Sequence, residues 1–97
     1  MSYWIHPAAE RELTEAAIYY KTHASFGIAS AFLDEFERVA ALLDWNQQLG
    51  MRVSDGLRIY PFRRFPYSIV YREADFGPRI YAVSHQRQNP GYSQSLL

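Results

Sequence analysis

From Leu57 to Arg87 the chain is written mostly in aromatic, β-branched and arginine residues. Three runs stand out: Leu57 to Phe65, Tyr67 to Arg72 and Arg79 to His85. Residues of this kind suit a pleated, half-buried surface and read as strands. The breaks between them are short. Phe65-Pro66-Tyr67 turns the first run into the second, and the polar stretch Glu73 to Pro78, with Gly77 and Pro78, turns the second into the third. Strands joined so closely pair with their neighbours in an antiparallel way. Pro61 has no backbone N–H to give a ladder, which puts the first run at a sheet edge or at a bulge.

The first half of the chain has a different period. Tyr3 to His6 is a short aromatic-rich candidate strand. Pro7 then suits the first turn of a helix, where its missing N–H costs nothing, and Glu10 and Glu12 favour the helix dipole. Ala9, Leu13, Ala16, Ala17 and Tyr20 form one stripe at helical spacing, fading near His23-Ala24-Ser25. Ser25 is the N-cap expected for a second helix. Its stripe is Ala29, Phe32, Phe36, Val39 and Leu43, broadened by Ile28, Leu33, Ala40 and Leu42, so this helix is expected between its partner and the sheet. The few residues around Ala24 to Gly27 imply an antiparallel helical hairpin. Asn46 to Gly56 reads as a polar connection ending in an Asp55-Gly56 turn. The order is β-α-α-β-β-β: one α+β domain over residues 1–97, a helical hairpin packed on a small, mostly antiparallel twisted sheet.

Length and charge narrow the function. A chain of 97 residues makes one domain with a modest core. It has no cysteine, hence no disulfide, thiolate ligand or cysteine nucleophile, which fits a reducing compartment. The N-terminus lacks the basic and apolar regions of a signal peptide, and no apolar run is long enough to span a bilayer, so a cytoplasmic protein without membrane contact is expected. The net charge of zero hides a split. Residues 1–51 hold three basic side chains against seven acidic ones, net −4; residues 52–87 hold seven arginines against three carboxylates, net +4. Such asymmetry suits an anionic partner on one face, or else an acidic helix pair beside a sheet with ordinary surface arginines. The three histidines lack metal-ligand spacing, so neither a metal nor another cofactor is expected.

The chain resembles the toxin components of bacterial toxin–antitoxin pairs in the RelE/ParE superfamily. The resemblance covers nearly the whole length. It rests on Ile5-His6-Pro7-Ala8-Ala9-Glu10 leading into the first helix, Tyr19-Tyr20 near that helix's end, and Arg63-Arg64-Phe65-Pro66-Tyr67-Ser68-Ile69-Val70-Tyr71 in the sheet. The ending, Ala82-Val83-Ser84-His85-Gln86-Arg87-Gln88-Asn89-Pro90-Gly91-Tyr92, also matches the family's His-x-Arg-x-Pro-x-Tyr pattern loosely. The likeness is nearest to the ParE-like, plasmid-stabilization branch. It implies a toxin held inactive by a cognate antitoxin in a hetero-oligomer, whose freed form inhibits DNA gyrase. Toxins of another branch instead cleave mRNA on the ribosome.

The residues bear unequally on these activities. Attack by a ribose 2′-OH on phosphate needs a base, an acid and a stabiliser of phosphate charge. Ribonucleolytic relatives carry lysines on the first meander strand, an arginine after the aromatic of the next and basic residues near the last strand's end. Here the 57–62 strand has no lysine, Ser68 follows Tyr67, and Gln86 takes one expected basic place; Ser93 and Gln94 follow the final tyrosine. An endoribonuclease would have to use His85 as acid or base, Arg87 on phosphate and Tyr92 for base stacking. His85 shares strand parity with Tyr81 and Val83 and reads also as a core-edge histidine. Arg58, Arg63 and Arg64 are the candidates for gripping a target or a phosphate. Arg63 and Arg64 also read as charges that keep an edge strand soluble, and Arg58 as a partner of Asp55. Tyr19, Tyr20, Tyr67 and Tyr71 read as packing. Three activities remain open: a gyrase-binding toxin without covalent chemistry, a ribosome-dependent mRNA endonuclease, and an inert interaction module.

Overall fold

The computed structural model describes residues 3–87, and Tyr92 lies outside them. The elements are β1 (Trp4–Ile5), α1 (Pro7–His23), α2 (Phe26–Trp45), β2 (Met51–Ser54), β3 (Leu57–Pro61), β4 (Tyr67–Arg72) and β5 (Arg79–His85). One five-stranded sheet has the order β1-β5-β4-β3-β2. β1 pairs with β5 in parallel and every other pair is antiparallel.

Helix boundaries follow local chemistry. The His6 ring nitrogen Nδ1 accepts the N–H of Ala8, Pro7 opens the first turn and Glu10 sits in it. α1 ends where the N–H groups of Ala24 and Ser25 both reach the Tyr20 carbonyl. The Ser25 hydroxyl then accepts from Ile28 N–H at 3.0 Å and starts α2, as its position in the sequence predicts.

Small residues set how the layers stack. Ala9, Ala16 and Ala17 are buried on α1 and let it lie close over the sheet. α2 reaches the sheet through larger side chains. Phe32 meets Phe62, Phe65 and Tyr67 at ring-centroid distances of 5.7, 5.3 and 5.1 Å. The core joins these to Phe36, Val39, Leu43, Ile69, Tyr71, Ile80 and Val83. Burying one such side chain is worth about 1.5–3 kcal/mol. α2 is covered by both α1 and the sheet as expected, with Ala40 fully buried, but Ile28 and Leu33 of the broadened stripe stay 42% and 40% exposed.

The sheet departs from expectation in three places. The 46–56 connection contains a strand, β2, whose four residues are all exposed. Met51 and Val53 alternate with Arg52 and Ser54, but four residues inside a polar connection are too short a run to stand out. Asp55-Gly56 is the hairpin turn, and Gly56 takes φ +70°, which side chains with a Cβ rarely adopt. Next, β3 lies inside the sheet and ends at Pro61. The β2 ladder stops at Met51 opposite Ile59, so Pro61 falls past the end of that neighbour and no ladder bond is lost. Finally, Tyr71 pairs with Ile80 and Val70 with Ala82, so Tyr81 is an extra residue. This bulge turns Tyr81 to the face away from the helices and breaks the parity it was expected to share with His85.

Candidate functional site

The Phe62–Pro66 turn is where two cations are offered to solvent. Phe62 is buried and Phe65 packs on Tyr20 and Phe32, while Arg63 and Arg64 between them are exposed. Apolar residues on both flanks pin the turn down and leave the guanidinium groups outside. The backbone is fixed as well. Phe62 N–H donates to the Tyr67 carbonyl and Tyr67 N–H to the Phe65 carbonyl, both at 2.8 Å.

A carboxylate from α2 completes the arrangement. Glu35 is buried, and its Oε2 accepts the N–H of Arg63 at 2.6 Å. The N–H of Arg64 is directed to the same carboxylate. Arg38, one turn along, donates from Nε and Nη2 to the two carboxylate oxygens at 3.0 and 2.9 Å. The Arg38 hydrogen bonds, then the Arg63 backbone bond, outweigh burial and hold the Glu35 carboxyl down at about 2. Glu35 therefore stays ionised and acts as an anchor for the Arg63–Arg64 turn. The apolar stripe of α2 masked this role, because the carboxylate sits directly beside Phe36. The clue available in the sequence was Arg38 at i+3.

The other arginines go elsewhere. Arg58 does not stand on an open surface. Its side chain is 14% exposed and bonds to Glu73, to the Gln48 carbonyl and, at 2.7 Å, to the Gly50 carbonyl. Its acidic partner is Glu73 rather than the expected Asp55, because the sheet brings the end of β4 beside it. Arg72 donates to the Asp55 carbonyl at 2.7 Å. Arg79 stacks on Trp4, with Cζ 4.4 Å from the ring centroid. The expected single cationic face is thus split. Arg58 is committed to the framework, while Arg63 and Arg64 remain accessible at the opposite end of β3.

His85 faces the helices, edge-to-face with Tyr67 at 5.0 Å. Its Nδ1 accepts the N–H of Arg87, which is exposed. His85 opens on a cleft lined by Glu12, Glu15, Ala16, Tyr19, Tyr67 and Val83. Two carboxylates in that cleft work against a bound phosphate. Nor does Arg58 reach it. Arg58 pairs with Tyr71 and His85 with Tyr67, four positions apart along β4 and hence roughly 13 Å. Tyr92, the third member of the ribonuclease set, lies outside the described residues. Among the described residues no group of His, Asp and Glu side chains is placed to hold a metal ion.

Glu12 carries a separate expectation. It accepts the Val83 N–H at 2.9 Å, and its carboxyl is raised above the ordinary value, chiefly by burial. A raised carboxyl contributes stability below the ordinary carboxyl range of about 4.5 that is lost as pH rises through the folded value. Glu12→Gln keeps the acceptor and removes the charge. Urea unfolding at pH 7 should show equal or greater stability by under about 1 kcal/mol. The gain should vanish at pH 4. A clear loss at pH 7 would mean that the Glu12 charge itself holds β5.

Two apolar surfaces lie apart from the arginine turn. The helical hairpin presents a groove lined by Ala17, Ile18, Phe26, Ala29 and Leu33, with Ile18 56% and Phe26 73% exposed. The β2 edge exposes Met51 and Val53, with no described strand on its outer side. No helix among the described residues is long and apolar enough to cross a membrane.

Residues 3–90 match the family model described as ParE toxin of type II toxin–antitoxin system, parDE. No curated protein shows significant similarity. Among solved structures, a chain of the chromosomal ParDE TA system from P. aeruginosa superimposes with a TM-score of 0.74 and 19% sequence identity. The match covers 88% of this chain and 95% of that one. At such identity the likeness concerns the fold: two helices packed on a five-stranded mixed sheet.

Proposed function

Because the chain belongs to the ParE toxin family of type II toxin–antitoxin systems, we propose that it arrests growth by binding DNA gyrase and is released from a cognate antitoxin to do so. The observation that carries this reading is the Arg63–Arg64 turn. It is an exposed pair of cations on a backbone fixed by Phe62, Phe65 and Glu35, with no histidine among the described residues shown in contact with it. A rigid cationic tip suits recognition of an acidic protein surface, because little freedom is lost on docking. No covalent step is required of the toxin.

The test is gyrase supercoiling in vitro. Wild-type toxin should inhibit it, and the double variant Arg63→Ala/Arg64→Ala should need at least about tenfold more protein for the same inhibition, at unchanged melting temperature. Complete supercoiling in the presence of a large excess of folded wild-type toxin would overturn the reading. The mRNA-endonuclease alternative predicts cleavage in primer extension on translated message that disappears in His85→Ala/Arg87→Ala. The carboxylates around His85 weigh against it.

The antitoxin is assigned to the two apolar surfaces. An amphipathic helix would lie in the hairpin groove over Ile18, Phe26 and Leu33, and an extended segment would add to the β2 edge. On this reading the hetero-oligomer would act in the cytoplasm, with gyrase. Co-expression with the adjacent reading frame should give a stable complex. Phe26→Asp should weaken it without unfolding the toxin, because Phe26 is 73% exposed.

A further inference from the structure

The face of the sheet turned away from the helices has an unusual charge pattern. The five strands contain four arginines and no carboxylate. Arg52 and Arg58, paired with each other and opposite Tyr71, lie on the helix side, so the outer face carries Arg72 and Arg79. Arg72 and Arg79 are directly opposite each other across β4 and β5. Like charges in that position repel. Among the described residues, Arg72 is relieved by the Asp55 carbonyl, and Arg79 by the Trp4 ring and a 3.4 Å approach to the Tyr81 hydroxyl. Neither forms an ion pair with a described residue.

Aromatic rings adjoin this pair. Trp4, at the sheet's outer strand, is 39% exposed and meets Tyr81 and His6 edge-to-face at 5.8 and 5.7 Å. The Tyr81 bulge brings that ring to this face. Arg79 is exposed, with its Cζ held over the indole at 4.4 Å and its Nε approaching the Tyr81 hydroxyl. A stacked guanidinium is a pre-organised fork for phosphate oxygens and a flat platform for a base.

We propose that Trp4, Arg72, Arg79 and Tyr81 form a binding platform for single-stranded nucleic acid, separate from the Arg63–Arg64 turn. The two arginines take successive phosphodiesters, and a base stacks on the guanidinium of Arg79 or on Tyr81. Asp75 lines the same hollow as Trp4 and Arg79, and its carboxylate bounds the area open to an anion on that side. The observations favour nucleic acid over an acidic peptide, because an acidic peptide would use the two charges and leave the adjoining rings idle.

The experiment is fluorescence anisotropy of labelled dT and rU 12-mers titrated with the full-length chain at several KCl concentrations. Binding in the range of about 10⁻⁴–10⁻⁶ M is expected, with a salt slope near −1.4 for two phosphates. Arg79→Gln should weaken it about tenfold and reduce the slope by about 0.7. Arg72→Gln should reduce the slope by the same amount. Trp4→Phe, which keeps a ring under Arg79, should retain most of the binding that Trp4→Ala loses. If Trp4→Ala does not fold, the two glutamine variants decide. A preference for dT or rU identifies the source of the strand. Three results would overturn the proposal: no binding of either oligonucleotide at 1 mM protein, equal weakening by Arg63→Ala/Arg64→Ala, or competition by polyglutamate at matched charge as effective as that by unlabelled oligonucleotide.

Discussion

Glu35→Ala will lower the melting temperature by roughly 10–15 °C, the equivalent of about 2 kcal/mol in a domain of this size. The substitution removes the acceptor for the Arg63 and Arg64 N–H groups and leaves Arg38 without its partner. Breaking a fully buried ion pair costs about 3–5 kcal/mol. The smaller figure applies here because the Arg38 side chain is 38% exposed and can turn its charge to water. The loss falls on the two backbone donors of the turn. Glu35→Gln should cost less, since one oxygen still accepts an N–H.

The same residue fixes a pH dependence. The folded carboxyl titrates at about 2, against an ordinary 4.5. Between those values the unfolded chain binds the proton more readily than the native one, so stability rises with pH across the window. The Glu35 contribution is complete above pH 4.5 and is lost as pH falls toward 2. Wild type and Glu35→Gln should therefore differ at neutral pH and converge in acid, as read by urea unfolding at pH 7, 4 and 2.5. Parallel curves at every pH would show that the anchor is not ionic. On the gyrase reading, Glu35→Ala should also blunt inhibition, because Arg63 and Arg64 would lose their fixed approach.

Gly50→Ala will destabilise the fold by about 3 kcal/mol, through a different device. A Cβ at Gly50 would lie 2.5 Å from the Tyr71 hydroxyl oxygen and 2.8 Å from its ring. Tyr71 is fully buried and cannot swing aside. Its hydroxyl donates to the Gln47 carbonyl at 2.7 Å and accepts the Gly50 N–H at 2.9 Å, which ties the α2–β2 connection to the centre of the sheet. Gln47 extends the tie by bonding both backbone groups of Ala74. Tyr71→Phe removes the hydroxyl and strands two buried groups, for about 2 kcal/mol. It also relieves the closest clash, so the double variant should cost less than the two singles together by more than about 0.5 kcal/mol. Additive losses in a double-mutant cycle would refute this account. The required absence of a side chain at Gly50 was invisible in the sequence, because its cause is a residue 21 positions away.

Some of the surface could be read from single residues and some could not. Ser25 declared its helix start, because capping acts through neighbouring backbone, whereas Pro61 signalled a missing ladder donor but not that β3 lies inside the sheet, which depends on where β2 ends. Arg58 could not be read in this way. Nothing next to it in sequence indicates that the Gln48 and Gly50 carbonyls and Glu73 will surround it. Arg63 and Arg64 were legible as charges, but what steadies them is Glu35, 28 residues earlier for Arg63. β2 was missed because its alternation, Met51-Arg52-Val53-Ser54, is only four residues long and sits inside a polar connection.

The order of side chains alone determined the helical hairpin, the three meander strands, the helix starts and the family. These follow from periodicity, capping and backbone restrictions, which act over a few residues. Only tertiary structure decided which arginines stay outside, since each guanidinium answers to carbonyls, rings and carboxylates delivered by remote strands. The Tyr81 bulge, which sends that ring to the face of Trp4 and Arg79, belongs to the same class, because it exists only in the register between β4 and β5.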